Sequence, residues 1–220
     1  DEAMRARLTD MVRSHSTRLD ELVRDLLDLS KLESQGAPVA IKAMSMSDIA
    51  AELAEILSDS CERYGVDLAF DLDPRLDRIQ SDHRLLLLIV KNLAENATKF
   101  AKPGTAVLVE GLVLNGNDAG MPGMQLRITD RGQGIPLAQQ QRIFERFFQV
   151  DSARTGSDRR GTGLGLAIVK HAAKLLDGSV DVHSVWGEGT TMIVDLPACV
   201  VRPDPAGAAA DDGGQAGGES

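Results

Sequence analysis

A chain of 220 residues is long enough for one ordinary domain with a smaller element beside it. At 43% hydrophobic and 26% charged it has the composition of a soluble globular protein, and with aromatics at 3% the core must be built from Leu, Ile, Val, Ala and Met. A formal net charge of −9, without a basic stripe carrying interleaved aromatics, argues against nucleic acid as a partner.

Cys61 and Cys199 have neither metal-ligand spacing nor a secretory context, which points to a reducing, cytoplasmic compartment. The longest purely apolar run covers only 85–90, whereas a membrane span needs about 20 such residues. The chain begins with Asp1 rather than Met and carries no signal peptide, so it reads as a fragment whose parent protein has room for a membrane anchor upstream.

In chain order, residues 1–36 come first. Leu8, Val12, His15, Leu19, Leu22, Leu26 and Leu29 recur at alternating steps of four and three, the seam of a helix in a bundle or coiled coil. Gly36 and Pro38 end it. One such helix cannot bury its own stripe, so a partner helix is expected, either upstream or in a second copy of the chain.

A mixed α/β domain is expected over 45–200. Residues 47–63 have helical periodicity, with Ser47 or Asp48 as N-cap. Residues 66–71 and 78–80 read as short strands, and 81–100 as a strong amphipathic helix. Strands follow at 105–114 and 124–130, joined by the turn-rich 115–123. A long loop bearing Gly and Arg leads to a helix over 164–176 and two closing strands, 179–184 and 190–196. Strands and helices do not alternate strictly, which disfavours a doubly wound parallel sheet. The tail, 203–220, has no large apolar side chain and is expected to be disordered.

On the helix over 81–100, Leu86, Ile89, Val90, Leu93, Ala97 and Phe100 form one apolar face. Asn92, Asn96 and Lys99 stack on a stripe bordering it. Asparagine is a mediocre helix former, so two of them a turn apart, followed by lysine, suggest that something polar is held there. Amide oxygens suit a hard cation such as magnesium and lysine suits a phosphate, although a solvated helix flank has the same pattern. Asp130 closes an apolar strand and is followed by Gly132 and Gly134, which permit close backbone approach by a ligand; an ordinary turn reads alike. Gly161-Thr162-Gly163-Leu164-Gly165-Leu166 opens a helix, where free N–H groups and the positive dipole end suit phosphate. It lacks the Lys-Ser/Thr ending of a Walker loop and the third glycine of a dinucleotide fingerprint.

Taken in order, Asn92/Asn96/Lys99, Asp130-x-Gly-x-Gly, Phe144-Glu145-Arg146-Phe147-Phe148, the run from Gly161 to Gly165, and Ser184-Val185-Trp186-Gly187-Glu188-Gly189-Thr190 ending in Leu196-Pro197 resemble the catalytic, ATP-binding domain of sensor histidine kinases. The resemblance covers about 45–197. It implies an α+β fold: a two-layer, left-handed βαβ sandwich with a mixed, mostly antiparallel sheet (the Bergerat-type ATP-binding fold shared with gyrase-type ATPases and Hsp90 chaperones), preceded by a bundle-forming helix. It further implies ATP and Mg2+ as cofactors. Asn96 would coordinate magnesium with support from Asn92, Lys99 would contact phosphate and Phe100 would lie against the adenine. Asp130 would accept the adenine amino group, assisted by Thr190, with Gly132 and Gly134 making room for the ring beside Ile135. Residues from about Phe144 to Gly163 would form a mobile lid, with Gly161, Thr162, Gly163, Leu164, Gly165 and Leu166 near the phosphates. Arg154, Arg159 and Arg160 fall in this lid, where phosphate contacts and a solvated basic loop are both compatible with the sequence.

The same fold also hydrolyses ATP, so the fold alone does not fix the reaction. In the hydrolysing relatives a glutamate one turn before the magnesium asparagine positions water; here that position is Asn92, which cannot act as a general base. Glu95 is near, but on helical geometry it projects about 60° from the Asn92–Asn96 stripe. None of His15, His83, His171 and His183 has the flanking acidic residue and proline of the family's acceptor histidine. Residues 18–33 resemble the second helix of the family's dimerisation and phosphoacceptor hairpin, so the acceptor helix is expected upstream of Asp1. The implied partners are ATP, a response-regulator receiver domain and a second copy joined through the hairpin. The alternatives are an ATPase or nucleotide-dependent switch on the same fold, and a non-enzymatic module with a vestigial site.

Overall fold

The fold is described from a computed structural model, for residues 2–34, 38–114, 122–150, 161–197 and 199–201. Arg154, Arg159, Arg160, most of the turn-rich 115–123 segment and the 203–220 tail lie outside the described residues.

The seam sequence forms one continuous helix, α1 (Glu2–Glu33). A short strand, β1 (Lys42–Met44), leads to α2 (Met46–Tyr64), then β2 (Asp67–Leu72) and, after a 3-10 turn at Pro74–Arg78, β3 (Ile79–Ser81). Next come α3 (His83–Phe100), β4 (Ala106–Leu114), β5 (Gly123–Asp130) and one turn of helix, α4 (Leu137–Gln140). The chain continues through α5 (Gly165–Leu175), β6 (Ser179–Val185), β7 (Gly189–Leu196) and β8 (Val200–Val201).

The main sheet has the order β2-β4-β5-β7-β6, with β2 parallel to β4 and every other pair antiparallel. Burial alternates along β5 and β7, as it must when one face meets a core and the other does not. The α2, α3 and α5 helices pack on the sheet to make the second layer. The architecture is therefore the α+β sandwich with a mixed, mostly antiparallel sheet that the sequence implies. In the core, Leu86, Ile89 and Leu93 of α3 join Val107, Leu126 and Val194 of the sheet, all fully buried. A second sheet, β1-β3-β8, lies beside it, and there the buried Cys199 thiol sits 3.0 Å from Ser81 Oγ, its pKa pushed up to about 11 by burial. Among the described residues no helix is long and apolar enough to cross a membrane.

Three local features differ from the sequence reading. The N-cap of α2 is Ser45 rather than Ser47 or Asp48, because Ser45 alone has the extended backbone that lets its Oγ accept from the amides of both those residues. Residue 81 belongs to β3, and α3 starts after Asp82, whose carboxylate accepts from Leu85 N at 3.0 Å. On α1, Leu8, Val12, His15, Leu19 and Leu26 are exposed, whereas Leu29 and Leu32 are buried against the α/β sandwich. The seam helix thus spends its C-terminal end on α5 and leaves most of its stripe open.

Ser45 also donates to Asp77 Oδ1 at 2.6 Å, tying the start of α2 to the 3-10 turn, and these bonds hold the Asp77 carboxyl below the usual carboxylate range. Ser45→Ala is expected to lower the unfolding free energy by about 1 kcal/mol, read from a shifted urea midpoint at unchanged slope.

Candidate active site

Between α3, the ends of β5 and β7, and the start of α5 lies a cleft of about 510 Å³, within the range of small-molecule sites. The amphipathic helix builds its floor. Because Leu86, Ile89, Val90 and Leu93 are committed to the core, the adjoining stripe is forced to the cleft edge, and Asn92, Asn96 and Lys99 are each half-buried there. Asn92 Nδ2 donates to Leu88 O at 2.8 Å, which leaves its carbonyl oxygen facing Gly165. A Cβ on Gly165 would come within 2.9 Å of that oxygen, so α5 can start this close to the stripe only with glycine there. The first turn of α5 has Leu164 as its cap and no side-chain cap bond, leaving its amides available to an anion. Burial lowers the pKa of the Lys99 ammonium, with Glu21 pulling it back up and Arg18 adding to the fall.

The other end of the cleft is formed by the sheet. Asp130 is buried where β5 ends, and burial raises its carboxyl to about 6 despite the opposing amide bonds from Gly132 and Thr190. Gly132 N donates to Asp130 Oδ1 at 2.7 Å. Thr190, its register partner on β7, shares a hydroxyl contact of 3.0 Å with Ser184 Oγ, and Ser184 Oγ accepts from Ile135 N at 2.8 Å. Gln140 Nε2 bonds both Ile135 O and Ser184 O, so α4 pins the loop after Asp130 to β6. An acceptor with a raised pKa, held by backbone and faced by Phe100 and Ile135, suits a flat, nitrogen-rich ring with an exocyclic amine.

Of the residues singled out in the sequence, the cleft gathers Asn92, Asn96 and Lys99 with Phe100 from α3, and Asp130, Gly134, Ile135 and Thr190 from the sheet end. It also gathers Gly161, Thr162, Gly163, Gly165 and Leu166. Gly132, Phe144 and Leu164 stand behind this lining: Gly132 braces Asp130, Leu164 is buried, and the Phe144 ring packs against the core with Lys170 Nζ 6.0 Å from its centre. Three placements go beyond the sequence reading. Phe148 rather than Phe144 faces the cleft, with the Arg142 guanidinium 4.4 Å from its ring centre. Glu95, expected to point away from the stripe, also reaches the cleft edge, where burial raises its pKa and Lys91 Nζ lies 3.5 Å away. Glu21, Asp25 and Asp28 of α1 line the same end, a contribution with no local signal because it depends on how α1 docks.

A cleft with a hydrogen-bonding ring pocket at one end, and amides, a lysine and an open helix N-terminus at the other, is a nucleotide site by its chemistry. The family of histidine kinase-, DNA gyrase B- and HSP90-like ATPases matches residues 81–199. The chain belongs to that family. It is similar to the sensor-like histidine kinase SenX3 of Mycolicibacterium smegmatis, 33% identical over 90% of this chain and 49% of the relative. The sensor protein SrrB of Staphylococcus aureus is 31% identical over 85% of this chain and 31% of the relative. The chain therefore spans half or less of the length of these relatives. Among solved structures, full-length ShkA in complex with AMPPNP matches with a TM-score of 0.74 at 27% identity, over 91% of this chain and 40% of that one. The mycobacterial sensor histidine kinase MprB matches with a TM-score of 0.58 at 26% identity, over 72% of this chain and 97% of that one.

Gly134 has φ +70°, and a Cβ there would stand 2.1 Å from Val185 O, with backbone on every side. Gly134→Ala should destabilise the fold by more than about 1 kcal/mol and loosen the β6–β7 end of the cleft. Amide hydrogen exchange at Ile135 and Val185 should rise together; unchanged exchange would mean the loop yields without cost.

Proposed function

We propose that this domain binds Mg-ATP and presents its γ-phosphate to a histidine on a helix that pairs with α1 in the intact protein, for relay to an aspartate of a response-regulator receiver domain. The observation that carries the reading is the convergence of the Asn92–Asn96–Lys99 stripe, the open start of α5 and the Asp130 pocket on one cleft. In it Asp130 accepts the adenine amino group with Thr190 beside it, Phe100 and Ile135 flank the ring, and Lys99 with the amides of Gly161 to Gly165 meets the phosphates. The amide oxygens of Asn96 and Asn92 suit a hard cation, and no cluster of three or more His, Cys, Asp or Glu among the described residues offers it another home. Magnesium here would share its ligands with the nucleotide and neutralise phosphate charge during transfer. The exposed stripe positions of α1, Leu8, Val12, Leu19 and Leu26, form the surface on which a second helix and a second copy of the chain would pack.

A second reading, hydrolysis without histidine transfer, is favoured by one observation: Glu95 lies at the phosphate end with a raised pKa, as a general base would. Its pairing with Lys91, and the amide at position 92, favour transfer instead. Calorimetric titration with Mg-ATP and a phosphate-release assay on the same samples separate the two. Asn96→Ala should weaken Mg-ATP binding by tenfold or more, on the order of 1.4 kcal/mol, with adenosine affinity little changed. Release should stay negligible; steady release abolished by Glu95→Gln would establish the ATPase reading.

The ionised Asp130 carboxylate is the stronger acceptor for the adenine amine, and burial pushes its pKa up to about 6. Adenosine, which has no titrating phosphates, should bind with constant affinity above pH 7 and progressively more weakly as pH falls through 6. Asp130→Asn, which cannot titrate, should give a flat profile over the same range; a parallel fall in both proteins would place the titration elsewhere.

A further inference from the structure

The strongest feature outside the proposed chemistry is the hold that α1 takes on the phosphate end. Thr162, in the glycine-rich loop, donates its hydroxyl to Asp25 Oδ2 at 2.5 Å. The same hydroxyl accepts from Leu164 N at 3.2 Å, so the α1 carboxylate, through one threonine, sets the conformation of the loop leading into α5. Eight residues on, the Glu33 carboxylate pairs with Arg146 at the foot of the lid segment and lies 4.0 Å from His171 Nδ1 on α5. Leu29 and Leu32, each only 3% exposed, fill the space between these two anchors. The docked helix is therefore a built contact, with two polar ties and an apolar plug.

The contact also puts Glu21, Asp25 and Asp28 along the wall where a triphosphate would lie. Glu95 adds a fourth carboxyl, and the cations lining the cleft are Arg24 on α1, Arg63 on α2 and Lys91 and Lys99 on α3, of which Arg24 is paired to Asp20 and Lys91 to Glu95. Bringing a polyanion beside partly desolvated carboxylates is unfavourable, and the lower the local dielectric the more so. Burial already acts against ionisation of Asp25, only partly offset by its bond to Thr162. Phosphate also needs the loop that Asp25 holds.

We propose that Asp25 is a latch that sets α1 docking against nucleotide binding: the phosphates compete with the helix for Thr162 and repel its carboxylates, so nucleotide frees α1 from the loop and docked α1 weakens nucleotide binding. The coupling is reciprocal by linkage, and it acts on the phosphates and not on the base. A helix freed in this way by the bound nucleotide can move relative to the catalytic layer when the phosphate is transferred. The inference rests on the reading of the cleft as an ATP site.

The test is calorimetry of the full chain with Mg-ATP and with adenosine, for the wild type, Asp25→Ala and Glu33→Gln. Asp25→Ala removes the tie and one charge; Glu33→Gln weakens the distant anchor, away from the nucleotide. Both should tighten Mg-ATP, Asp25→Ala by about fivefold or more, and leave adenosine within about twofold. Amide exchange at residues 29–33 of the wild type should rise when Mg-ATP is added. Adenosine binding with Mg-ATP affinity unmoved or weakened in Asp25→Ala overturns the latch alone. A wild type that binds neither ligand overturns the nucleotide reading, and the latch with it.

Discussion

The helix α3 has to be core and active-site floor at once, and the rest of the structure is arranged around that double duty. Leu86, Ile89, Val90 and Leu93 have no exposed surface, so the rotation of α3 on the sheet is fixed by close packing. Once that rotation is set, Asn92, Asn96 and Lys99 have one place to go. Turning the helix by a single residue, about 100°, would bury an asparagine amide and lift a leucine into water, two penalties of a few kcal/mol each. The polar stripe is thus held in place by hydrophobic side chains committed to the core.

The cleft that follows has two ends with different physics. At the sheet end, Asp130 is oriented by backbone amides, and Thr190 and Ser184 are fixed by strand register, so a small, rigid set of polar atoms faces an apolar ring pocket. Burial there makes a carboxylate costly to ionise, which is the condition for a strong hydrogen bond to a ligand that completes its shell. At the α5 end the partners are long side chains, backbone amides and the carboxylates of α1, and the interactions are those of charge. In the proposed reading, specificity for the base and response to the phosphates are carried by separate sets of atoms.

How much of this was legible in the sequence follows from which interactions are local. The α3 face and its polar stripe come straight from a 3.6-residue period, and the β5 and β7 strands from alternation, because in both cases packing against a core imposes the pattern on contiguous residues. β1 and β8 carry no such pattern: at three and two residues they exist only through pairing with β3. The sequence does not single out Ser45 as the cap because Ser45, Ser47 and Asp48 are all capable side chains, and what selects Ser45 is its extended backbone, beside its bond to Asp77. Phe144 and Phe148 are likewise equal candidates by type. Both pack against the core, but Phe148 also lines the cleft and Phe144 does not, a choice made by the non-helical turns between them and not by period.

The seam of α1 makes the same point over a longer distance. A regular heptad stripe implies one uniform partner, yet the structure divides it: Leu29 and Leu32 belong to the catalytic layer, while Leu8, Val12 and Leu19 face away from it. A helix shared between two surfaces couples them mechanically, since its hydrogen-bonded backbone transmits a rotation at one end to the other. The carboxylates of Glu21, Asp25 and Asp28 lie at the junction, where the stripe passes from one surface to the other beside the phosphate end of the cleft. Charge arriving in that cleft therefore acts on the helix where its two allegiances meet, and a local electrostatic event there biases the position of the whole element.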